Sequence, residues 1–167
     1  MFDLRQHIVN VPDFPKPGIL FRDITPLLAV AFDETMDAMD ALLTEAEWAA
    51  VDVVGGIESR GFIFAAALAQ RRRKGFVPVR KQGKLPPPVV DVKYNLEYGS
   101  GVLEMQRGRG RMFLVDDVLA TGGTLKGAAQ LSARAGYELA AMGVLIDLRL
   151  IPLLQVEDVI TRAVIQY

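Results

Sequence analysis

Met112-Phe-Leu-Val115 is an apolar run that leads into two adjacent carboxylates, Asp116 and Asp117, and then into Ala120-Thr-Gly-Gly-Thr124 at the head of a helical pattern. A strand that becomes a helix within a few residues buries its apolar face by packing the helix back across a sheet, so this segment points to a βα unit. The rest of the chain repeats the theme. Val51 to Ile57 is short, β-branched and bounded by glycine; Gly61 to Arg73 reads as a helix, Gly75 to Arg80 as a strand, Gly123 to Ala135 as a helix and Ala140 to Ile146 as a strand. Ahead of them Met36, Met39, Leu42, Leu43 and Ala46 recur at spacings of three and four, which predicts one amphipathic helix from Asp33 to Trp48 with Asp33 as its N-cap. The order predicts an α/β fold: a mainly parallel central sheet flanked by helices, with ligands outside the carboxyl ends of the strands.

At 167 residues the chain fits one domain, read as 1–167. A net charge of -1 gives no electrostatic reason to expect nucleic acid or a membrane surface as a partner, so any phosphate binding must be local. Cysteine is absent, which rules out disulfides and thiolate metal sites, and the first ten residues lack the basic-then-apolar layout of a secretory signal. A cytoplasmic protein is expected. Apolar stretches such as Phe62 to Ala69 fall well short of the roughly 20 residues that cross a bilayer.

The turn after the Asp pair has a chemistry of its own. Ala120, Thr121, Gly122, Gly123 and Thr124 turn tightly, expose backbone N–H groups and add two hydroxyls at a helix N-terminus, where the dipole favours an anion such as a phosphate monoester. Asp116 and Asp117 are placed to accept hydrogen bonds from vicinal ribose hydroxyls, or to hold Mg²⁺ directly or through water. The segment is neither a Walker loop, for want of a Gly-Lys-Ser/Thr ending, nor a dinucleotide fingerprint.

This segment resembles the type I phosphoribosyltransferase signature, and Val115-Asp-Asp-Val-Leu-Ala-Thr-Gly-Gly-Thr124 resembles the form found in the family members that act on adenine. The likeness runs from Phe14 to about Leu148. It implies the type I fold with a small N-terminal hood and a flexible lid loop. The activity it implies joins adenine to phosphoribosyl pyrophosphate, giving AMP and pyrophosphate with Mg²⁺, in a homodimer. On this reading Ala120 to Thr124 hold the 5-phosphate, Asp116 and Asp117 face the ribose and its magnesium, the latter through water or substrate, and Val118 packs beside the base. Another base, or a nucleotide-sensing regulator on the same fold, is the alternative.

Three further segments support the likeness. Phe14-Pro-Lys-Pro-Gly-Ile-Leu-Phe-Arg-Asp-Ile-Thr-Pro26 is too rich in proline for a helix and is expected as an ordered loop or irregular arm. It resembles the family's adenine-reading loop, which implies base contacts from Leu20, Phe21 and Arg22. Ile57-Glu-Ser-Arg-Gly-Phe62 follows the first strand of the sheet and resembles the pyrophosphate loop. That implies a cis peptide between Glu58 and Ser59 and a cationic partner in Arg60; pairing of Arg60 with Glu58 on the surface is the other reading of these residues. Arg80-Lys-Gln-Gly-Lys84 opens a stretch, Lys81 to Tyr94, that shows no period, contains prolines at 86 to 88 and is expected as a long loop. Arg80, Lys81 and Lys84 suit pyrophosphate. At its far end Asn95-Leu-Glu-Tyr-Gly99 resembles the family's lid, implying that Glu97 exchanges a proton with the base and Tyr98 covers the pyrophosphate. His7 is given no role, and Met36 and Met39 are expected in the core.

Overall fold

The computed structural model describes residues 3–96 and 99–167. After a short 3₁₀ turn at Leu4–His7, Val9–Pro12 (β1) pairs antiparallel with Leu20–Asp23 (β2) as a two-stranded ribbon. This ribbon is the hood. Thr25–Val30 (α1) starts with Pro26 in its first turn, where the missing N–H costs nothing, so the segment from Phe14 to Pro26 is more regular than an irregular arm.

The single helix expected from Asp33 to Trp48 is two: Phe32–Asp40 (α2) and Glu45–Ala50 (α3). The break lies at Thr44, which caps α3 reciprocally with Glu47. The Thr44 hydroxyl oxygen accepts from the Glu47 N–H at 3.3 Å, and the Glu47 carboxylate accepts from the Thr44 N–H at 2.8 Å. Asp33 sits inside the first turn of α2, two residues past Ala31, which holds the cap position expected of Asp33, and favours the positive end of the helix from there.

Val53–Ile57 (β3), Gly61–Arg72 (α4) and Gly75–Lys81 (β4) form a parallel βαβ unit. Val90–Leu96 (β5) and Gly99–Met105 (β6) then pair antiparallel, and β6 joins the edge of β4. A second parallel unit follows, made of Gly110–Leu119 (β7), Gly123–Ala135 (α5) and Tyr137–Asp147 (β8). Gln155–Val156 (β9) and Val159–Gln166 (β10) complete the sheet, with β10 parallel to β8. The strand order is β5-β6-β4-β3-β7-β8-β10-β9, parallel at the centre and antiparallel at both edges. The long loop expected over Lys81 to Tyr94 is thus shorter, because residues 90–96 are a strand whose alternating burial gives period 2.

Both faces of the sheet are covered, as its central parallel strands require. On one face Phe113 and Val115 of β7 pack with Trp48, Phe64 and Leu68 from the helices; on the other Met112 and Leu114 meet Leu125 and Leu131 of α5. Met36 and Met39 are buried on the first face, as expected. Each large apolar side chain buried this way contributes about 1.5–3 kcal/mol. Trp48 meets Phe113 edge-on at 5.4 Å between centroids and donates its indole N–H to the Asp40 carbonyl at 2.9 Å, so its polar edge is satisfied inside the core.

Glycine sets how closely α4 approaches the sheet. A Cβ on Gly56 would lie 2.7 Å from the Ala65 Cβ, and one on Gly61 would lie 2.9 Å from Asp116 Oδ1, so only hydrogen fits at either contact. The start of α4 therefore lies directly against the end of β7.

Candidate active site

β3 and β7 are neighbouring parallel strands, and the turns that leave their carboxyl ends, 58–60 and 120–122, lie side by side at the heads of α4 and α5. Neither helix has a side-chain cap, so first-turn N–H groups of two long helices face the cleft between the turns. Gly122 caps α5 with φ of +86°, a left-handed backbone that glycine adopts without penalty. The peptide between Glu58 and Ser59 is cis, as the family likeness implies. A cleft of about 810 Å³ opens here, lined among others by Glu58, Ser59, Arg60, Lys81, Asp116 and Asp117 and by the whole turn from Ala120 to Thr124.

The acid pair lies within β7, short of its last residue, and is nearly enclosed: Asp116 is 8% exposed and Asp117 7%. Burial, and then the negative charge of Asp117 beside it, push the Asp116 carboxyl well above the usual carboxylate range. Asp116 Oδ1 accepts from the Asp117 N–H at 2.9 Å. Asp117 Oδ2 lies 2.5 Å from Nε of Arg60, so the ion pair of Arg60 is made to Asp117 and not to Glu58. The glycine at position 61 makes this possible by letting the head of α4 touch β7.

Glu58 is braced from β4. Its carboxylate accepts from the Lys81 N–H at 2.8 Å and meets the Arg80 guanidinium at 3.3 Å. Burial opposes the charge on Glu58, yet the Lys81 N–H, Arg80 and Lys84 outweigh it and hold the carboxyl below its ordinary value. Arg80 also donates to the Lys84 carbonyl at 3.2 Å. Arg80 and Lys84 thus stand behind Glu58, whereas Lys81 lines the cleft itself. Glu104 of β6, buried and not singled out from the sequence, accepts from the Lys84 and Leu85 N–H groups at 2.8 and 2.7 Å and fixes the turn that carries these cations.

A second cavity of about 430 Å³ adjoins the first. Leu20, Phe21 and Arg22 of β2 line it together with Val118, Leu148, Leu150 and Tyr167, and Arg60, Val118 and Ala120 line both cavities. Sequence reasoning gathered the first three and Val118; it missed Leu148, Leu150 and Tyr167. Tyr167 lies just beyond β10, and its place beside the cavity follows from the pairing of that strand with β8, for which the sequence carries no signal. Phe21 meets Phe14 edge-on at 5.1 Å, and the Arg60 guanidinium lies 5.1 Å from the Phe21 ring centroid. Phe21 is therefore flanked by an aromatic on one side and a cation on the other. Tyr94 and Leu96 of β5 line the larger cleft, and burial, followed by the charges of Asp116 and Glu58, raises the Tyr94 hydroxyl above its ordinary value. Glu97 and Tyr98 lie outside the described residues.

Among the described residues no cluster of three or more His, Cys, Asp or Glu forms a metal cage. The donors at hand are two enclosed carboxylates, one already paired with Arg60. That set fits a magnesium ion held mostly by water and substrate phosphates. No helix of the described residues is long and apolar enough to cross a membrane.

A model of the phosphoribosyl transferase domain matches residues 32–151. The adenine phosphoribosyltransferase of Hydrogenovibrio crunogenus is 50% identical over 165 residues, covering 98% of this chain and 96% of that protein. The crystal structure of adenine phosphoribosyltransferase from Rhodothermus marinus matches with a TM-score of 0.84 at 40% identity, over 98% of this chain and 96% of that one. The enzyme from Saccharomyces cerevisiae, solved in complex with adenine and an imino-altritol bisphosphate, matches with a TM-score of 0.81 at 36% identity, over 87% of this chain and 86% of that one.

Proposed function

The chain belongs to the phosphoribosyltransferase family, and we infer from this that it transfers the phosphoribosyl group of phosphoribosyl pyrophosphate to adenine, yielding AMP and pyrophosphate in purine salvage. The observation that carries the reading is the meeting of a polar cleft and a largely apolar pocket at Arg60, Val118 and Ala120, since the reacting C1 must lie where the ribose and base seats touch.

The geometry supports a division of labour among these residues. The N–H groups and hydroxyls of Ala120 to Thr124 hold the 5-phosphate at the head of α5. Asp116 and Asp117 accept from the ribose hydroxyls, and the ion pair with Arg60 aims the Asp117 carboxylate. The turn at Glu58, Ser59 and Arg60, with Lys81, seats the pyrophosphate, while Arg80 and Lys84 brace Glu58 and add positive field. Magnesium, held through water or substrate beside Asp116 and Asp117, supplies charge neutralisation for the leaving pyrophosphate.

The base lies between Phe21 and Val118. A two-stranded ribbon leaves one edge of β2 unpaired, so a backbone N–H and C=O near Arg22 read the purine edge with Leu20 as a wall. As the C1–oxygen bond to pyrophosphate breaks, C1 gains positive character and adenine N9 bonds to it; the proton lost by the imidazole ring goes to Glu97, with Tyr98 over the pyrophosphate. The assignments of Glu97 and Tyr98 rest on the Leu-Glu-Tyr-Gly likeness. Replacing Glu97 by Gln keeps the hydrogen-bonding reach and removes the proton carrier. The single-turnover rate is expected to fall about 10²- to 10⁴-fold with little change in affinity, and a rate within about threefold of wild type rejects the role.

The enzyme is proposed to be a single domain over 1–167, cytoplasmic and homodimeric, without nucleic-acid or membrane partners. The near-zero net charge supports the last point.

A further inference from the structure

Tyr167 sits where the sheet meets the hood. Gln166 of β10 pairs with Asp147 of β8, and the Tyr167 N–H donates to the Asp147 carbonyl at 3.0 Å, so the backbone of Tyr167 is fixed to the body of the sheet. Its ring lies against the guanidinium of Arg22, with Cζ 3.9 Å from the ring centroid, and lines the pocket assigned to the base. On its other side Arg22 donates to Asn10 Oδ1, the side chain of its own cross-strand partner in β1. The Arg22 side chain is thus gripped between the hood and the sheet.

The ribbon is short, and two cation–π contacts tie it to the rest of the domain at this point: Arg22 on Tyr167 after β10, and Arg60 at the head of α4 on Phe21. The second uses an arginine already committed to Asp117. The first has no role in the phosphoribosyl cleft. We propose that Tyr167 is a positioning residue for base recognition: its ring latches Arg22 and thereby sets the distance between the reading edge of β2 and Val118. This rests on the assignment of the smaller pocket to adenine.

A latch of this kind acts on base affinity and leaves the phosphoribosyl seat alone. Tyr167 is 39% exposed, so its contribution is that of an exposed cation–π contact, which corresponds to a change of about 2- to 5-fold in an equilibrium constant. Full-length Tyr167→Leu and Tyr167→Phe enzymes are compared with wild type, varying adenine and phosphoribosyl pyrophosphate in turn. Tyr167→Leu is expected to raise the KM for adenine about 2- to 5-fold, with kcat and the KM for phosphoribosyl pyrophosphate unchanged. Tyr167→Phe keeps the aromatic face and restores the adenine KM. Arg22→Met is expected to show the same shift, and the Arg22→Met/Tyr167→Leu pair no more than either alone, because both remove one contact. An unchanged adenine KM in Tyr167→Leu overturns the proposal, as does an equal rise in both KM values, additivity of the pair, or a Phe variant as impaired as Leu. Melting curves of each variant identify a loss of fold, which would mark Tyr167 as merely structural and also overturn it. Wild-type enzyme that ignores adenine but converts another base refutes the pocket assignment itself, an outcome distinct from any of these.

Discussion

At residue scale the site depends on a carboxylate kept in an unfavourable place. Asp116 is buried beside Asp117 and its carboxyl titrates well above the usual range, so in the ligand-free protein the folded state holds that proton more tightly than the unfolded chain does. The sign follows: the folded state loses stability relative to the unfolded one as pH rises above about 4, the ordinary Asp value. Asp116→Asn removes that penalty. We expect the variant to melt at least about 2 °C higher than wild type at pH 7, the shift that ~1 kcal/mol makes in a chain of this size, with the gap closing as pH approaches 4. Its affinity for phosphoribosyl pyrophosphate is expected to fall. A lower melting temperature at pH 7 rejects the account of Asp116. The pair was legible in the sequence, because two consecutive carboxylates after an apolar strand demand partners. The partner of Asp117 was not, since Arg60 reaches it only through the close packing of Gly61 on β7.

The elements show where period alone misleads. Met36 to Ala46 keeps helical spacing straight across the break between α2 and α3, so the apolar pattern concealed an end that Thr44-Glu45-Ala46-Glu47 announces as a capping box. Thr44→Ala is expected to cost about 0.5–2 kcal/mol by urea denaturation, and a loss below about 0.2 kcal/mol contradicts the capping role. Glu47 adds a pH signature. Hydrogen bonds from Arg162 first, and then from the Thr44 N–H, hold its carboxyl at about 2, so its contribution is complete above the ordinary Glu value near 4.5 and is lost as pH falls toward 2. The stability difference between wild type and Glu47→Gln is expected to shrink over that window, and a pH-independent difference contradicts it. In β5 the error ran the other way: the prolines at 86 to 88 and the charges around them drew attention from the alternation Val90, Val92, Tyr94, whose last two members are buried.

On the scale of the whole molecule, the βα repeats made the parallel centre of the sheet legible from sequence. The antiparallel edges were not, because strand order depends on which distant strand β6 and β10 find, and a single sequence carries no pairing information for that. The same gap hid Tyr167, which reaches the base pocket through the β8–β10 pairing, and Leu148 and Leu150, which follow β8 and reach it beside the end of β7, where the Leu148 N–H donates to the Leu119 carbonyl at 3.0 Å. Assembly is a further property of this scale: light scattering is expected to give twice the chain mass of 18.3 kDa, and a fully active monomer contradicts the proposed dimer. The central claim is that a phosphoribosyl cleft and an adenine pocket meet at Arg60, Val118 and Ala120. It is tested most directly by supplying the purified protein with phosphoribosyl pyrophosphate, Mg²⁺ and one base at a time, and measuring nucleotide and pyrophosphate. The account predicts stoichiometric AMP and pyrophosphate from adenine, with kcat/KM at least about a hundredfold above that for hypoxanthine or guanine, the order of discrimination that paired backbone donors and acceptors provide. Turnover of a 6-oxopurine as fast as adenine contradicts it.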